Sequence, residues 1–100
     1  MKKLAVLISN KGTGTNLQGI IDGINSGKIN GKIVSVISDT KDTPGLKRAR
    51  KHKLPVKIVP QKEKLLSILQ KLNPDYICLA GWKQIILDEV IEAFPNRILN

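Results

Sequence analysis

Leu4-Ala5-Val6-Leu7-Ile8-Ser9-Asn10-Lys11-Gly12-Thr13-Gly14-Thr15-Asn16-Leu17-Gln18-Gly19-Ile20-Ile21 changes its hydrophobic period once, and that change decides the fold. Leu4–Ile8 is a continuous apolar run, short enough for a strand buried on both faces. From Asn16 the pattern is different. Leu17, Ile20, Ile21 and Ile24 fall at i, i+3, i+4 and i+7, the spacing of one helix face, and Gly27 predicts the stop. A loop carrying Gly12 and Gly14 lies between the two segments. Buried strand, glycine turn and amphipathic helix together open a parallel α/β unit.

The same alternation continues outward. Lys32–Ser38, with Ile33, Val34, Val36 and Ile37, predicts a second strand. Asp39–Gly45 is turn material in which Thr43 predicts an N-cap and Pro44 a first helical residue. Leu46 and Ala49 of the second helix would face inward and its basic residues outward, until Leu54-Pro55 ends it. Val56–Val59 predicts a third strand, and Leu65, Leu66, Ile68, Leu69 and Leu72 a third helix broken by Asn73-Pro74. Tyr76–Ala80 predicts a fourth strand ended by Gly81. Leu87, Val90, Ile91 and Phe94 mark a fourth helix before Pro95, and Arg97-Ile98-Leu99 starts a fifth strand.

Strands alternating with helices imply parallel pairing through right-handed crossovers. The expectation is a Rossmann-like three-layer α/β domain over residues 1–100. Its parallel sheet has about five strands in the order 3-2-1-4-5. In such sheets ligands bind at the carboxyl ends of the strands, where Asn100 falls.

Composition narrows the class. Aromatics are 3%, namely Trp82, Tyr76 and Phe94, so the core is built from Ile, Leu and Val. A single cysteine, Cys78, sits in an apolar run and excludes a disulfide scaffold; it reads as a packed side chain. No apolar stretch approaches the roughly 18 residues that span a bilayer, and Met1-Lys2-Lys3 with Leu4–Ile8 lacks the length and cleavage site of a signal peptide. The expected location is the cytoplasm, without membrane association. The net charge is +9, concentrated in Lys47-Arg48-Ala49-Arg50-Lys51-His52-Lys53. With no aromatic in that run to stack bases, it reads as a solvated helix face that attracts anions, not as a specific nucleic-acid site.

The loop carries the chemistry. Backbone N–H groups, the Thr13 and Thr15 hydroxyls and the helix N-terminus can surround phosphate oxygens, with Asn16 capping the helix or donating to the ligand. Three anion sites compete. A P-loop needs GxxxxGK[ST], which is absent. A dinucleotide fingerprint needs GxGxxG. Leu17 stands where its third glycine belongs, although Asp39 ends strand two where a ribose-binding acid would sit. The third possibility is a phosphorylated small substrate. His52 lies in the basic helix, remote from the strand ends, and no residues have metal-ligand spacing. Trp82 follows a strand end, where it can wall a pterin pocket or close the core.

These residues also resemble a known family. Gly14-Thr15-Asn16-Leu17-Gln18-Gly19-Ile20-Ile21-Asp22 is similar to the G-S-N-L-Q-A-I-I-D of glycinamide ribonucleotide (GAR) formyltransferases. Gly45-Leu46-Lys47-Arg48-Ala49 resembles their G-L-x-R-A, and Pro74-Asp75 with Leu79-Ala80-Gly81-Trp82 resembles P-D-V-V-V-L-A-G-F. Arg97-Ile98-Leu99-Asn100 resembles the opening of R-L-L-N-I-H-P-S. The motifs run in the right order along nearly the whole chain. Departures are Asn10-Lys11 inserted before Gly12, and Lys83-Gln84-Ile85-Ile86 in place of M-R-I-L.

The resemblance implies an enzyme of purine biosynthesis that moves a formyl group from 10-formyltetrahydrofolate, a co-substrate, to the amine of GAR, with no metal. It implies Asn100 as a catalytic residue, Gly12, Thr13, Gly14, Thr15 and Asn16 as the substrate phosphate loop, and Trp82, Lys83, Gln84 and Ile85 in the folate pocket. The family's catalytic His and Asp have no counterpart here. The expectation is therefore an N-terminal, GAR-binding domain that is inactive alone and complemented by a C-terminal half. The alternatives are a nucleotide-binding Rossmann module using Gly12, Gly14 and Asp39, and a nucleic-acid-binding domain resting on the basic helix.

Overall fold

A computed structural model describes residues 1–9 and 13–100. Five strands and four α-helices alternate in it: β1 (Lys2–Ile8), α1 (Thr15–Asn25), β2 (Gly31–Ser38), α2 (Gly45–Lys51), β3 (Val56–Ile58), α3 (Leu65–Leu72), β4 (Tyr76–Leu79), α4 (Asp88–Ala93) and β5 (Ile98–Leu99). A 3₁₀ turn, Lys62–Lys64, leads into α3. All pairings are parallel, and the strand order is β3-β2-β1-β4-β5, as the alternation predicts.

The central strand explains the three layers. β1 is apolar at consecutive positions, so its two faces feed two cores. Ala5 and Leu7 join Ile37, Ile77, Leu65, Leu69, Val90 and Phe94 on the α3–α4 side. Val6 and Ile8 join Val36, Leu17, Ile21, Leu46 and Ala49 on the α1–α2 side. Leu17 is fully buried there, which is why this turn holds a leucine where a dinucleotide site needs glycine. β4 is registered by a clip at its entry. The Lys3 N–H donates to Asp75 Oδ2 at 2.7 Å, and the Asp75 N–H donates to the Lys3 carbonyl at 2.8 Å. That backbone donor, aided by nearby Lys2, Lys3 and Arg97, holds the Asp75 carboxyl below the usual aspartate range against the opposing effect of desolvation.

Two helix starts differ from expectation. Gly14, in the left-handed region at φ +84°, occupies the N-cap of α1, and Asn16 lies exposed in the first turn without capping it. Pro44 occupies the N-cap of α2. Thr43 makes no side-chain cap because its hydroxyl turns back to the Ser38 and Thr40 hydroxyls and to the Thr40 carbonyl, tying the β2–α2 turn together. At the other end of α1, Gly27 has φ +80° and its N–H donates to the Ile24 carbonyl, a glycine stop as predicted. Among the described residues no helix is long and apolar enough to cross a membrane.

Candidate functional site

A parallel sheet in this order has its switch point beside β1, where crossovers leave in opposite directions. β1 pairs with β2 on one side and β4 on the other. α1 and α2 cover the β1–β2 side of one face, while β4 and β5 stay open there. The result is a groove of about 790 Å³ that runs along this open face from Lys2, Asn30 and Tyr76 to Asn16, Trp82, Lys83 and Asn100. The fold thus brings together the first turn of α1, the segment after β4 and the residue after β5. These come from three of the sequence motifs, and they meet without any local contact in the chain. Cys78 is half-buried in this wall, and burial pushes its thiol pKa up, so it is a packed group and not an activated nucleophile.

The loop itself is held from α2. Thr13 is exposed, Gly14 half-buried and Thr15 exposed at the start of α1; Gly12 lies outside the described residues, as do Asn10 and Lys11. A Cβ at Gly14 would stand 2.8 Å from Gly45 Cα and 2.9 Å from Arg48 Cδ. The glycine is therefore required by close approach to α2 as well as by its positive φ. Arg48 does not point to solvent with its basic neighbours. Its Nε donates to the Thr13 carbonyl at 3.1 Å and its Nη1 to Gln18 Oε1 at 3.3 Å. This places a fixed positive charge beside the loop, which suits an anion.

The segment after β4 alternates. Trp82 and Ile86 pack against the α3–α4 core, while Ile85 is 77% exposed and Lys83 is exposed at the groove. Gln84 turns toward the sheet: its Nε2 donates to Asp39 Oδ2 at 2.9 Å. Ser9 Oγ donates to the same oxygen at 3.2 Å and accepts the Lys83 N–H at 2.9 Å. Asp39 is thus not an exposed turn residue: it is buried, with Oδ2 engaged and Oδ1 without a partner among the described residues. Of the residues read as a pterin pocket, Trp82 and Lys83 line the groove and Gln84 and Ile85 do not.

His52 ends α2 and lines a different groove of about 560 Å³, with Met1, Ile24, Val34 and Leu54. It is remote from the switch point, as its place in the basic helix predicts. Among the described residues no group of three or more His, Cys, Asp and Glu could hold a metal ion.

Residues 2–100 match the family model described as formyl transferase. The chain belongs to the formyl transferase family. It is 41% identical to the phosphoribosylglycinamide formyltransferase of Haemophilus influenzae, covering 100% of this chain and 50% of that protein. Against the chloroplastic phosphoribosylglycinamide formyltransferase of Arabidopsis thaliana the identity is 36%, over 99% of this chain and 37% of that one. The crystal structure of glycinamide ribonucleotide transformylase 1 from Symbiobacterium toebii superposes with a TM-score of 0.86 at 39% identity, over 98% of this chain and 50% of that one. This formyl transferase chain thus spans half or less of the length of these relatives.

Proposed function

We propose that this formyl transferase chain is the GAR-binding, N-terminal domain of a phosphoribosylglycinamide formyltransferase, the enzyme that carries a formyl group from 10-formyltetrahydrofolate to the amine of GAR. The observation that carries this reading is the single groove at the switch point that gathers Asn16, Trp82, Lys83 and Asn100. The relatives' names supply the substrate, and the groove supplies a place for both reactants.

In this reading the loop Gly12, Thr13, Gly14, Thr15 and Asn16 receives the phosphate. Arg48 orients the loop and adds positive charge. Trp82 and Lys83 wall the pterin side. The GAR amine attacks the formyl carbon, a C–N bond forms and the formyl oxygen becomes an oxyanion. The Asn100 amide donates hydrogen bonds to that oxyanion. An amide takes up no proton at neutral pH, so the proton lost by the amine and the proton gained by the folate nitrogen as its C–N bond breaks need another group. The reading assigns proton handling to residues outside these hundred, the complementary C-terminal half. It places the reaction in the cytoplasm, and it involves no metal, no membrane and no specific nucleic acid.

The dinucleotide alternative is less well supported. Asp39, its ribose ligand, already accepts from Ser9 and Gln84, and Leu17 fills the helix–strand contact. Calorimetric titration of the purified chain with GAR, and separately with NAD, discriminates between them. GAR binding that inorganic phosphate competes away, with no NAD binding, is expected. NAD binding that Asp39→Ala abolishes, with none for GAR, would overturn the proposal. Mixed with 10-formyltetrahydrofolate and GAR, the chain alone is expected to give no turnover near the 1 per second or more typical of enzymes.

A further inference from the structure

We propose that Asp39 is a positioning residue for the formyl-donor segment, acting through Ser9 and Gln84; this rests on the reading of 82–85 as part of the donor pocket. Three chain segments converge on one carboxylate oxygen. Ser9 follows β1, Asp39 follows β2 and Gln84 lies beyond β4. Asp39 Oδ2 accepts from Ser9 Oγ and Gln84 Nε2, and Ser9 Oγ accepts the Lys83 N–H. Asp39 is 8% exposed and Ser9 2%, so neither bond to Ser9 competes freely with water.

The segment needs such a tie. It has no helix or strand of its own between β4 and α4. Trp82 and Ile86 anchor it to the core at its two ends, and between them the Gln84 amide and the Lys83 N–H are its fixed points. The alternation divides the work. Trp82 and Ile86 pack inward, the exposed Gln84 reaches back to Asp39 by its amide, and Lys83 and Ile85 are presented outward. Gln84 therefore sets where Lys83 stands in the groove and is not itself a donor ligand. The same carboxylate sits at the carboxyl ends of β1 and β2, so the tie fixes the donor segment to Ser9 at the end of β1.

The test uses the intact chain and three variants, Gln84→Ala, Asp39→Ala and Asp39→Asn. The Gln84 side chain is largely exposed, so its truncation leaves the fold intact even if Asp39→Ala does not fold. Amide hydrogen exchange at Lys83 is compared with that at Ile77, whose N–H donates to the Arg97 carbonyl within the sheet. Both alanine variants are expected to speed Lys83 exchange about tenfold, the scale of one lost hydrogen bond, and to leave Ile77 unchanged. Asp39→Asn should restore the wild-type rate, because its amide oxygen can accept both bonds that Oδ2 accepts. Titration with 10-formyltetrahydrofolate, followed by fluorescence of Trp82, the one tryptophan of the chain, should show about tenfold weaker binding in the alanine variants and recovery in Asp39→Asn. Unchanged Lys83 exchange in Gln84→Ala, or equal acceleration at Lys83 and Ile77, would overturn the proposal. So would unaltered donor affinity in Gln84→Ala. Selective exchange without any donor binding to the wild-type chain would instead overturn the donor reading of 82–85 and leave the tie in place.

Discussion

Replacing Gly14 by alanine tests whether the loop before α1 is set by helix packing. Two costs are separable. Gly14 has φ +84°, a conformation that costs a residue with a Cβ roughly 1–2 kcal/mol. The added methyl would also stand 2.8 Å from Gly45 Cα and 2.9 Å from Arg48 Cδ. The nearest atom is backbone, so relief requires α2 to move away from α1, and overpacking of this kind costs about 1–3 kcal/mol. The sum, about 2–5 kcal/mol, is a large share of the roughly 5–15 kcal/mol that holds a domain folded. At about 4–8 °C per kcal/mol for a domain of this size, the melting temperature should fall by at least about 8 °C. Two other glycines isolate the terms. Gly27 has φ +80° with open space around its Cβ position, so Gly27→Ala bears the conformational cost alone, about 1–2 kcal/mol. Gly19 has neither constraint inside α1, so Gly19→Ala should stabilise by about 0.5–1 kcal/mol. Urea unfolding monitored by circular dichroism ranks the three. Adding Arg48→Ala to Gly14→Ala should recover only part of the loss, since Gly45 Cα remains. Equal destabilisation by Gly14→Ala and Gly27→Ala would refute the close approach of α2 to the loop.

Two further outcomes follow from named contacts. Arg48→Met keeps the aliphatic stem but loses the bonds to the Thr13 carbonyl and Gln18; stability should fall by about 1 kcal/mol, and phosphate affinity measured by calorimetry should weaken, with Arg48→Lys failing to restore it for lack of the planar fork. Asp75→Asn removes a carboxyl whose pKa is held down chiefly by the Lys3 N–H, so the stability difference between wild type and variant should be full above the usual aspartate pKa of about 3.9 and disappear as pH falls below it through the folded value. Urea midpoints at a series of pH values measure this, and a gap that persists in acid would count against the clip.

The frame of the fold was legible because its signals are local. Leu4–Ile8 and Tyr76–Ala80 are unbroken apolar runs, and Leu17, Ile20, Ile21 and Ile24 keep helical spacing; β1, β4 and α1 lie on those residues. The ends were less legible. Thr43 looks like an N-cap in sequence, yet its hydroxyl is taken by Ser38 and Thr40, a competition between turn and helix that periodicity cannot register. The site splits the same way. The loop motif and the post-β4 motif could each be quoted from the chain, but the Asp39–Gln84 tie joins residues 45 apart in sequence. Neither residue type announces the other. The one available signal was that Asp39, a charged residue, directly follows a strand rich in Ile and Val, where burial demands a partner.

Arg48 shows why a charge run cannot be read as one face. At about 100° per residue, Leu46 and Ala49 fall on the buried side of α2, while Lys47, Arg50 and Lys51 are exposed. Arg48 lies at the edge of the buried stripe, on the flank it shares with Gly45 one turn earlier. Gly45 has no side chain to fill that flank, and Gly14 approaches there, its Cα 3.4 Å from where a Gly45 Cβ would stand. The backbone of the loop therefore comes close enough for the next residue up the flank to reach over it, and that residue is Arg48. A Cβ at 45 would meet Ile8 Cδ1 at 3.0 Å and Gly14 Cα at 3.4 Å, the latter an ordinary contact, so only a residue bulkier than alanine would crowd the loop away from Arg48. The small residue at the start of α2, a poor helix former in itself, leaves the room in which one cation of a solvated run becomes a fixed charge beside the Gly14 loop. The same two glycines, 14 and 45, thus set both the packing of α1 on α2 and the electrostatics of the site.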